Sequence, residues 1–81
     1  MDTKQMQQDA KDHLWMHFTR MGTYKNHDVP IITHGEGCYV YDSNGKRYID
    51  GLAGLFTSQL GHGRKDIAKA IADQTEKLGF F

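Results

Sequence analysis

Apolar residues recur at every fourth position near the start of the chain, which is the spacing of a single helix face. The pattern predicts an α-helix over residues 3–21, with Asp2 or Thr3 as its N-cap. Two bulky residues near its end lie off that face, so a second interpretation ends the helix near His13 and places a loop after it. The residues of the face are Met6, Ala10, Leu14 and Phe18.

An alternating pattern rich in β-branched and aromatic residues follows the only proline, Pro30, which favours an extended chain before it. Residues 31–33 predict a short strand, and the Gly-Glu-Gly triplet at 35–37 predicts its end. Residues 38–42 and 46–50 flank a Ser-Asn-Gly sequence whose last two residues tolerate positive φ. These two segments therefore predict a β-hairpin.

Two registers of this hairpin are compatible with its sequence. A two-residue turn at Asn44-Gly45 pairs Asp42 with Arg47. A three-residue turn with a bulge instead pairs Asp42 with Lys46. The side-chain pattern does not choose between them.

A glycine-rich segment and a second segment with helical periodicity make up the rest of the chain. Four glycines lie among apolar residues in the segment 51–63, which predicts a backbone that passes close to another chain or to a ligand. Helical spacing then predicts a second helix over residues 64–78, ended by Gly79. Phe80 and Phe81 follow, and two adjacent aromatic residues there favour a segment of a larger protein.

Charge and composition exclude several classes of protein. Ten Lys and Arg balance ten Asp and Glu, so the chain lacks the basic surface that nucleic-acid binding needs. No apolar run approaches the roughly 20 residues of a membrane span. The single cysteine, Cys38, cannot form an internal disulfide and is expected to be a buried structural thiol. The polar first residues lack a signal-peptide core, so we expect a cytoplasmic protein.

Three motifs match ligand sites only in part. His13 and His17 have the spacing of two metal ligands on a helix, but no carboxylate accompanies them, so surface histidines are favoured. Residues 42–45 begin like a calcium loop but lack its remaining ligands, which favours a turn. Residues 61–65 precede a helix and could receive an anion, although a glycine-rich start of a packed helix is favoured. We expect no metal site and no catalytic group.

Four large apolar residues lie at the edges of the predicted elements. The pattern alone favours an ordinary core position for them, with a hydrophobic substrate pocket lined from loops as the alternative. They are Trp15, Phe18, Leu55 and Phe56.

Four segments, taken in order, carry a family resemblance. They are HLWMHFT at 13–19, ITHGEGCYVYDSNGKRYIDG at 32–51, LAGLF at 52–56 and LGHG at 60–63. Together they resemble the N-terminal region of the class-III pyridoxal-phosphate (PLP) aminotransferases, and the ω-amino-acid or amine:pyruvate branch is the most similar. No single segment is diagnostic, but their order and spacing are specific.

The resemblance implies an α/β enzyme of fold type I, of which this chain is the N-terminal part with α+β content. The expected order is helix, short strand, β-hairpin, glycine-rich segment and helix. Residues 1–60 would belong to the small domain and contact the partner subunit of a homodimer, and residues 61–81 would begin the large domain. The family's catalytic lysine and its PLP-binding residues lie downstream, so this chain alone is expected neither to bind PLP nor to catalyse a reaction.

The same resemblance assigns three residues to the substrate pocket. Phe18 matches a position at which Phe or Tyr lines the pocket, and Leu55 and Phe56 match a lining pair whose second member is commonly Trp. An aromatic wall there favours apolar or aromatic amine substituents. Phe56 is smaller than Trp, so a roomier pocket is expected. Met16-His17 departs from the family's usual His-Pro, which leaves the conformation around Phe18 open.

The implied reaction is transfer of an amino group from an ω-amino acid or amine to a keto acid such as pyruvate, through a PLP cofactor. An aminomutase or a decarboxylase on the same fold is the alternative within the family. A non-catalytic truncated chain or a dimer-binding module is the alternative outside it.

Overall fold

The computed structural model describes residues 2–16 and 19–81, which form helices around one small antiparallel sheet. The strands lie in the order β1-β2-β3. This α+β content and this order of elements agree with the fold expected from the sequence. The elements are α1 (Thr3–His13), a 3₁₀ helix (Met21–Lys25), β1 (Ile32–Glu36), β2 (Tyr39–Asp42), β3 (Arg47–Ile49), a short helical turn α2 (Ala53–Phe56) and α3 (Lys65–Lys77).

Helix α1 is shorter than the apolar spacing alone suggests. Asp2 caps its start by accepting a hydrogen bond from the Lys4 amide at 3.0 Å. The helix ends at His13, and Leu14 has an extended backbone at φ −98° and ψ 121°. The prediction of a helix over residues 3–21 is therefore wrong, and the interpretation that ends it near His13 is confirmed. No residue of α1 is buried, so no packed face extends the helix further.

One side-chain amide joins α1 to the segment before the sheet. The Val29 amide donates to Gln7 Oε1 at 2.6 Å, and Gln7 Nε2 donates to the Val29 carbonyl. The Gln7 side chain thus satisfies both backbone groups of Val29, as a neighbouring strand would. Val29 is also the buried hydrophobic residue of the described part of the chain, with 3% of its surface exposed. This contact sets where α1 lies relative to β1.

Strand β1 runs further than its sequence predicts. The short strand predicted over residues 31–33, ended by the Gly-Glu-Gly triplet, is wrong, because Gly35 and Glu36 pair with β2. A side chain at position 35 would meet His62, since a Cβ built there would lie 2.7 Å from the His62 Cβ. Glycine is therefore needed inside this strand for a tertiary reason, and it does not mark the strand's end.

The hairpin adopts the three-residue register. Tyr41 pairs with Arg47, and the Asp42 amide donates to the Lys46 carbonyl at 3.0 Å. Gly45 supplies the left-handed backbone position that this bulged turn needs, at φ 83°. Asp42 Oδ1 accepts from the amides of Asn44 and Lys46, both at 2.9 Å. These hydrogen bonds lower the pKa of Asp42, and the one from the Lys46 amide has the largest effect. The ionised carboxylate of Asp42 therefore stabilises the turn.

Helix α3 confirms the predicted second helix but not its predicted end. The helix ends because Leu78 becomes extended while its amide donates to the Gln74 carbonyl at 2.9 Å. Gly79 has no left-handed backbone, so the predicted glycine stop is wrong. No residue of α3 is buried, and Ile71 is 61% exposed. No helix in the part of the chain that the structure describes is long and apolar enough to span a bilayer.

We expect the isolated chain of 81 residues to unfold without a cooperative transition. Among the described residues only Val29 is a buried hydrophobic side chain, and a three-stranded sheet without a covering core is marginal. Circular dichroism during heating checks this expectation, with the full-length protein as the cooperative control. A sharp sigmoidal transition of the isolated chain would contradict it.

Candidate functional site

The turn α2 carries Leu55 and Phe56, and its backbone is left-handed. Ala53, Gly54, Leu55 and Phe56 have φ values of 51°, 60°, 61° and 67°. The Phe56 amide donates to the Leu52 carbonyl at 2.9 Å, and the Thr57 amide to the Ala53 carbonyl at 2.8 Å. Four consecutive residues therefore form one turn of a left-handed helix.

This backbone conformation is strained. A left-handed helical residue with a side chain is less stable than a right-handed one by roughly 1–2 kcal/mol, so three of them raise the free energy by about 3–6 kcal/mol. Gly54 escapes this penalty because it has no Cβ. Since a right-handed turn would close the same hydrogen bonds without that strain, contacts outside the backbone turn must favour the left-handed form.

Side chains close both ends of the turn. At its start, the Ala53 amide donates to Asp50 Oδ1 at 2.9 Å. At its end, Thr57 Oγ1 donates to the Gly54 carbonyl at 2.7 Å, and Gln59 Nε2 donates to the Phe56 carbonyl at 2.6 Å. Some of the backbone amides and carbonyls that would lack hydrogen-bond partners in a single isolated turn thus have side-chain partners here.

The second carboxylate oxygen of Asp50 is paired with His62. Asp50 Oδ2 lies 2.6 Å from His62 Nε2, and the two side chains are only 18% and 33% exposed. The hydrogen bond from His62, followed by that from the Ala53 amide, lowers the pKa of Asp50, although burial acts in the opposite direction. The carboxylate form of Asp50 is therefore the one that this arrangement stabilises.

The backbone of the glycine-rich segment fixes His62 against the end of β1. The Gly37 amide donates to the His62 carbonyl at 3.1 Å, and the His62 amide donates to the Gly37 carbonyl at 2.9 Å. A Cβ at Gly63 would lie 2.9 Å from the Gly35 carbonyl oxygen. The predicted close approach is present, and its neighbour is β1 of the same chain, in place of the other chain or the ligand expected from the sequence.

The large apolar residues of the candidate pocket are exposed. Leu55 is 49% exposed, Phe56 71% and Trp15 91%. The interpretation of these three residues as ordinary core is therefore wrong within the described residues. The structure brings Leu55 and Phe56 together on one turn, whereas Phe18, the third predicted pocket residue, lies outside the described residues.

A small cavity of about 100 Å³ lies beside the Asp50–His62 pair. Cys38 lines it and is exposed, so the prediction of a buried thiol is wrong. The reason is local: Cys38 lies in the short connection between β1 and β2, where its carbonyl accepts from the Asp50 amide at 2.8 Å. A larger cavity of about 580 Å³ lies between α1 and the hairpin turn, and neither Leu55 nor Phe56 lines it.

The remaining ligand motifs do not assemble a site. The Arg64 guanidinium, at the start of α3, is held by Asp66 through two hydrogen bonds of 2.9 and 2.6 Å. Within residues 2–16 and 19–81, no three His, Cys, Asp or Glu side chains form a group that could bind a metal ion. The pair of His13 and His17 cannot be described, because His17 lies outside those residues.

The Asp50 carboxylate is engaged in contacts within the chain. Its Oδ1 accepts from the Ala53 amide and its Oδ2 pairs with His62.

Sequence reasoning missed Asp50 and His62 as a unit. The sequence pattern places Asp50 only at the end of a predicted strand and His62 only in a possible anion site. An aspartate three residues before an apolar turn has the spacing of a capping residue, and that signal points to Asp50. Nothing in the local sequence indicates that His62 is its partner.

Solved structures with the same backbone define the fold. An (S)-enantioselective ω-transaminase from Thermomicrobium roseum matches all of this chain with 18% of its own, at a TM-score of 0.92 and 31% identity. An adenosylmethionine-8-amino-7-oxononanoate aminotransferase from Methanocaldococcus jannaschii matches 95% of this chain and 18% of its own, at a TM-score of 0.85 and 32% identity. The fold is that of the PLP-dependent transaminases.

The family model described as aminotransferase class-III matches residues 22–81, and the chain belongs to that family. A probable aminotransferase of Mycobacterium tuberculosis is 45% identical over 85% of this chain and 14% of its own length. An adenosylmethionine-8-amino-7-oxononanoate aminotransferase of Staphylococcus aureus is 40% identical over 94% of this chain and 17% of its own. The chain thus spans about a sixth of the length of these relatives.

We expect His62→Ala to raise the pKa of Asp50 toward its ordinary value of 3.8, because the hydrogen bond from His62 is the largest cause of its lowering. A lowered carboxyl pKa stabilises the folded state above the ordinary pKa, and this stabilisation is lost as the pH falls from about 3.8 through the lower folded value. Nuclear magnetic resonance titration with ¹³C-labelled aspartate measures the change.

Asp66 is the internal control in that titration. Its pKa is lowered by the hydrogen bond from Arg64, and His62 contributes nothing to it. The pKa of Asp66 is therefore expected to stay low in His62→Ala. An unchanged pKa of Asp50 in this variant would show that the pair does not form.

Proposed function

We propose that the full-length protein is a PLP-dependent transaminase that moves an amino group from an ω-amino acid or amine to a keto acid such as pyruvate. The observation that carries this proposal is the left-handed turn, which holds Leu55 and Phe56 as adjacent exposed apolar side chains. The family to which the chain belongs supports the reaction type. The ω-transaminases among its structural relatives support the class of amino donor.

In this proposal PLP, bound by residues outside this chain, supplies the electron sink that amino transfer needs. The role of Leu55 and Phe56 is to form an apolar wall against the substituent of the amine. Contact with such a wall removes apolar substrate surface from water, which favours binding of aromatic and aliphatic groups. The wall also excludes water from the side of the substrate that it covers.

Exposed apolar surface elsewhere supports a homodimer as the working form. Trp15, Ile71 and Phe80 are each more than half exposed in this chain, which spans about a sixth of the length of its relatives. We propose that the remainder of the protein and a partner subunit cover them, in a cytoplasmic enzyme.

The first expected outcome is formation of alanine by the purified full-length protein when it is supplied with PLP, pyruvate and an amine or ω-amino acid. Chromatography of the amino acids formed measures the product. A parallel incubation with S-adenosylmethionine and 8-amino-7-oxononanoate, in place of the amine and pyruvate, separates this specificity from the one named for the staphylococcal relative. The proposal fails if no donor yields alanine. Carbon dioxide release or a rearranged amino acid would identify a decarboxylase or an aminomutase.

A second expected outcome concerns the wall itself. Phe56→Ala is expected to raise the preference for a bulky amine over a small one roughly tenfold, because removing a ring from a pocket wall leaves space that a larger substituent fills. The ratio of kcat/KM for 1-phenylpropylamine and isopropylamine measures it. Phe80→Ala removes the same side chain away from the turn and should leave the ratio unchanged. An unchanged ratio in Phe56→Ala would contradict the assignment of this residue to the pocket.

A further inference from the structure

The left-handed turn depends on support from outside itself. Of its four residues only Gly54 adopts this backbone without strain, and Leu55 and Phe56 are too exposed for apolar packing within the described residues to hold them. Within the described residues the contacts that hold the turn are polar, and the contact that connects it to the sheet is made by Asp50.

We propose that Asp50, locked in place by His62, is a positioning residue that holds the left-handed turn and so sets the direction of Phe56 and the substrate selectivity of the enzyme. This inference rests on the proposed transaminase function for its effect on selectivity. Its structural half, that Asp50 holds the turn, does not depend on the reaction.

Asp50 is fixed at three points. Its Oδ1 accepts from the Ala53 amide at 2.9 Å, and its Oδ2 pairs with His62 Nε2 at 2.6 Å. Its own amide donates to the Cys38 carbonyl at 2.8 Å. The carboxylate therefore contacts the first residue of the turn from a main chain that is already bound to the connection between β1 and β2.

His62 is anchored to the neighbouring residue of the same connection. It exchanges two backbone hydrogen bonds with Gly37, and its ring lies against Gly35, where a Cβ would approach the ring to 2.7 Å. The backbones of Asp50 and His62 are thus hydrogen-bonded to the two adjacent residues that connect β1 and β2. Asp50 therefore has little freedom to move if the turn changes conformation.

The other polar side-chain contacts of the turn do not connect it to the sheet. Thr57 Oγ1 and Gln59 Nε2 bind carbonyls of the turn itself, at Gly54 and Phe56, and both side chains lie on exposed residues. They close the turn locally but do not fix its direction relative to the sheet. Only the Ala53–Asp50–His62 series does so among the contacts described.

The test uses the full-length PLP-loaded enzyme and three variants. Asp50→Ala removes both acceptors. Asp50→Asn keeps an oxygen for the Ala53 amide, and its NH₂ can donate to a neutral His62 ring. Asp66→Asn is the matched control, since it weakens an exposed ion pair of the same 2.6 Å length on α3. All three are compared with the unaltered enzyme.

Hydrogen exchange of the peptide over residues 52–58, measured by mass spectrometry, reports on the turn. We expect at least tenfold faster exchange in Asp50→Ala, exchange within threefold of the unaltered enzyme in Asp50→Asn, and no change in Asp66→Asn. Should Asp50→Ala fail to fold, His62→Ala removes only the partner of Oδ2, and at least threefold faster exchange is expected. Unchanged exchange in the folded variant overturns the inference.

Selectivity supplies the second readout, through the kcat/KM ratio for 1-phenylpropylamine and isopropylamine. We expect Asp50→Ala to change the ratio at least fivefold in the native background and less than twofold in Phe56→Ala, because a residue that acts through Phe56 has no effect once that ring is gone. A general loss of structure would lower both rates in both backgrounds. Equal changes in the two backgrounds overturn the inference.

The two proposals fail in different ways. An unaltered enzyme that transfers no amino group from any donor overturns the transaminase function and the effect on selectivity with it. The exchange experiment still decides whether Asp50 holds the turn.

Discussion

A single carboxylate joins three parts of this structure. Asp50 ends the hairpin, begins the left-handed turn through the Ala53 amide, and meets the segment before α3 through His62. Short hydrogen bonds to an ionised group are stronger and more directional than those between neutral groups. The carboxylate thus links the turn with its two apolar side chains to the hairpin and to the glycine-rich segment.

Glycine makes that contact possible by letting two pieces of backbone meet. Gly35 leaves room for the His62 ring, and Gly63 passes within contact distance of the Gly35 carbonyl. A side chain at either position would push His62 away from Asp50, because each Cβ would lie less than 3.0 Å from an atom already there. Order in the described residues therefore comes from backbone proximity and polar contacts, since almost no apolar side chain is buried.

The elements that depend on neighbouring residues are predicted from the sequence, whereas the features that depend on contacts between distant residues are not. The hairpin follows from Asn44-Gly45 and its alternating flanks, and α3 from its helical spacing. The end of α1 is ambiguous because Leu14 continues an apolar face that has nothing to pack against. The glycine at position 35 within β1 is required by the His62 side chain, which lies 27 positions away in the sequence. The left-handed turn contains one glycine, so propensity gives no sign that Leu55 and Phe56 have positive φ.

The handedness of this turn also limits how the site can diversify. At positive φ a side chain branched at Cβ collides with its own backbone, whereas unbranched side chains and Asn are tolerated. Positions 55 and 56 are therefore open to Leu, Met, Phe, Tyr, Trp or Asn and largely closed to Val, Ile and Thr. A library built to alter these two side chains therefore gains more from varying ring size and polarity than from sampling all aliphatic residues.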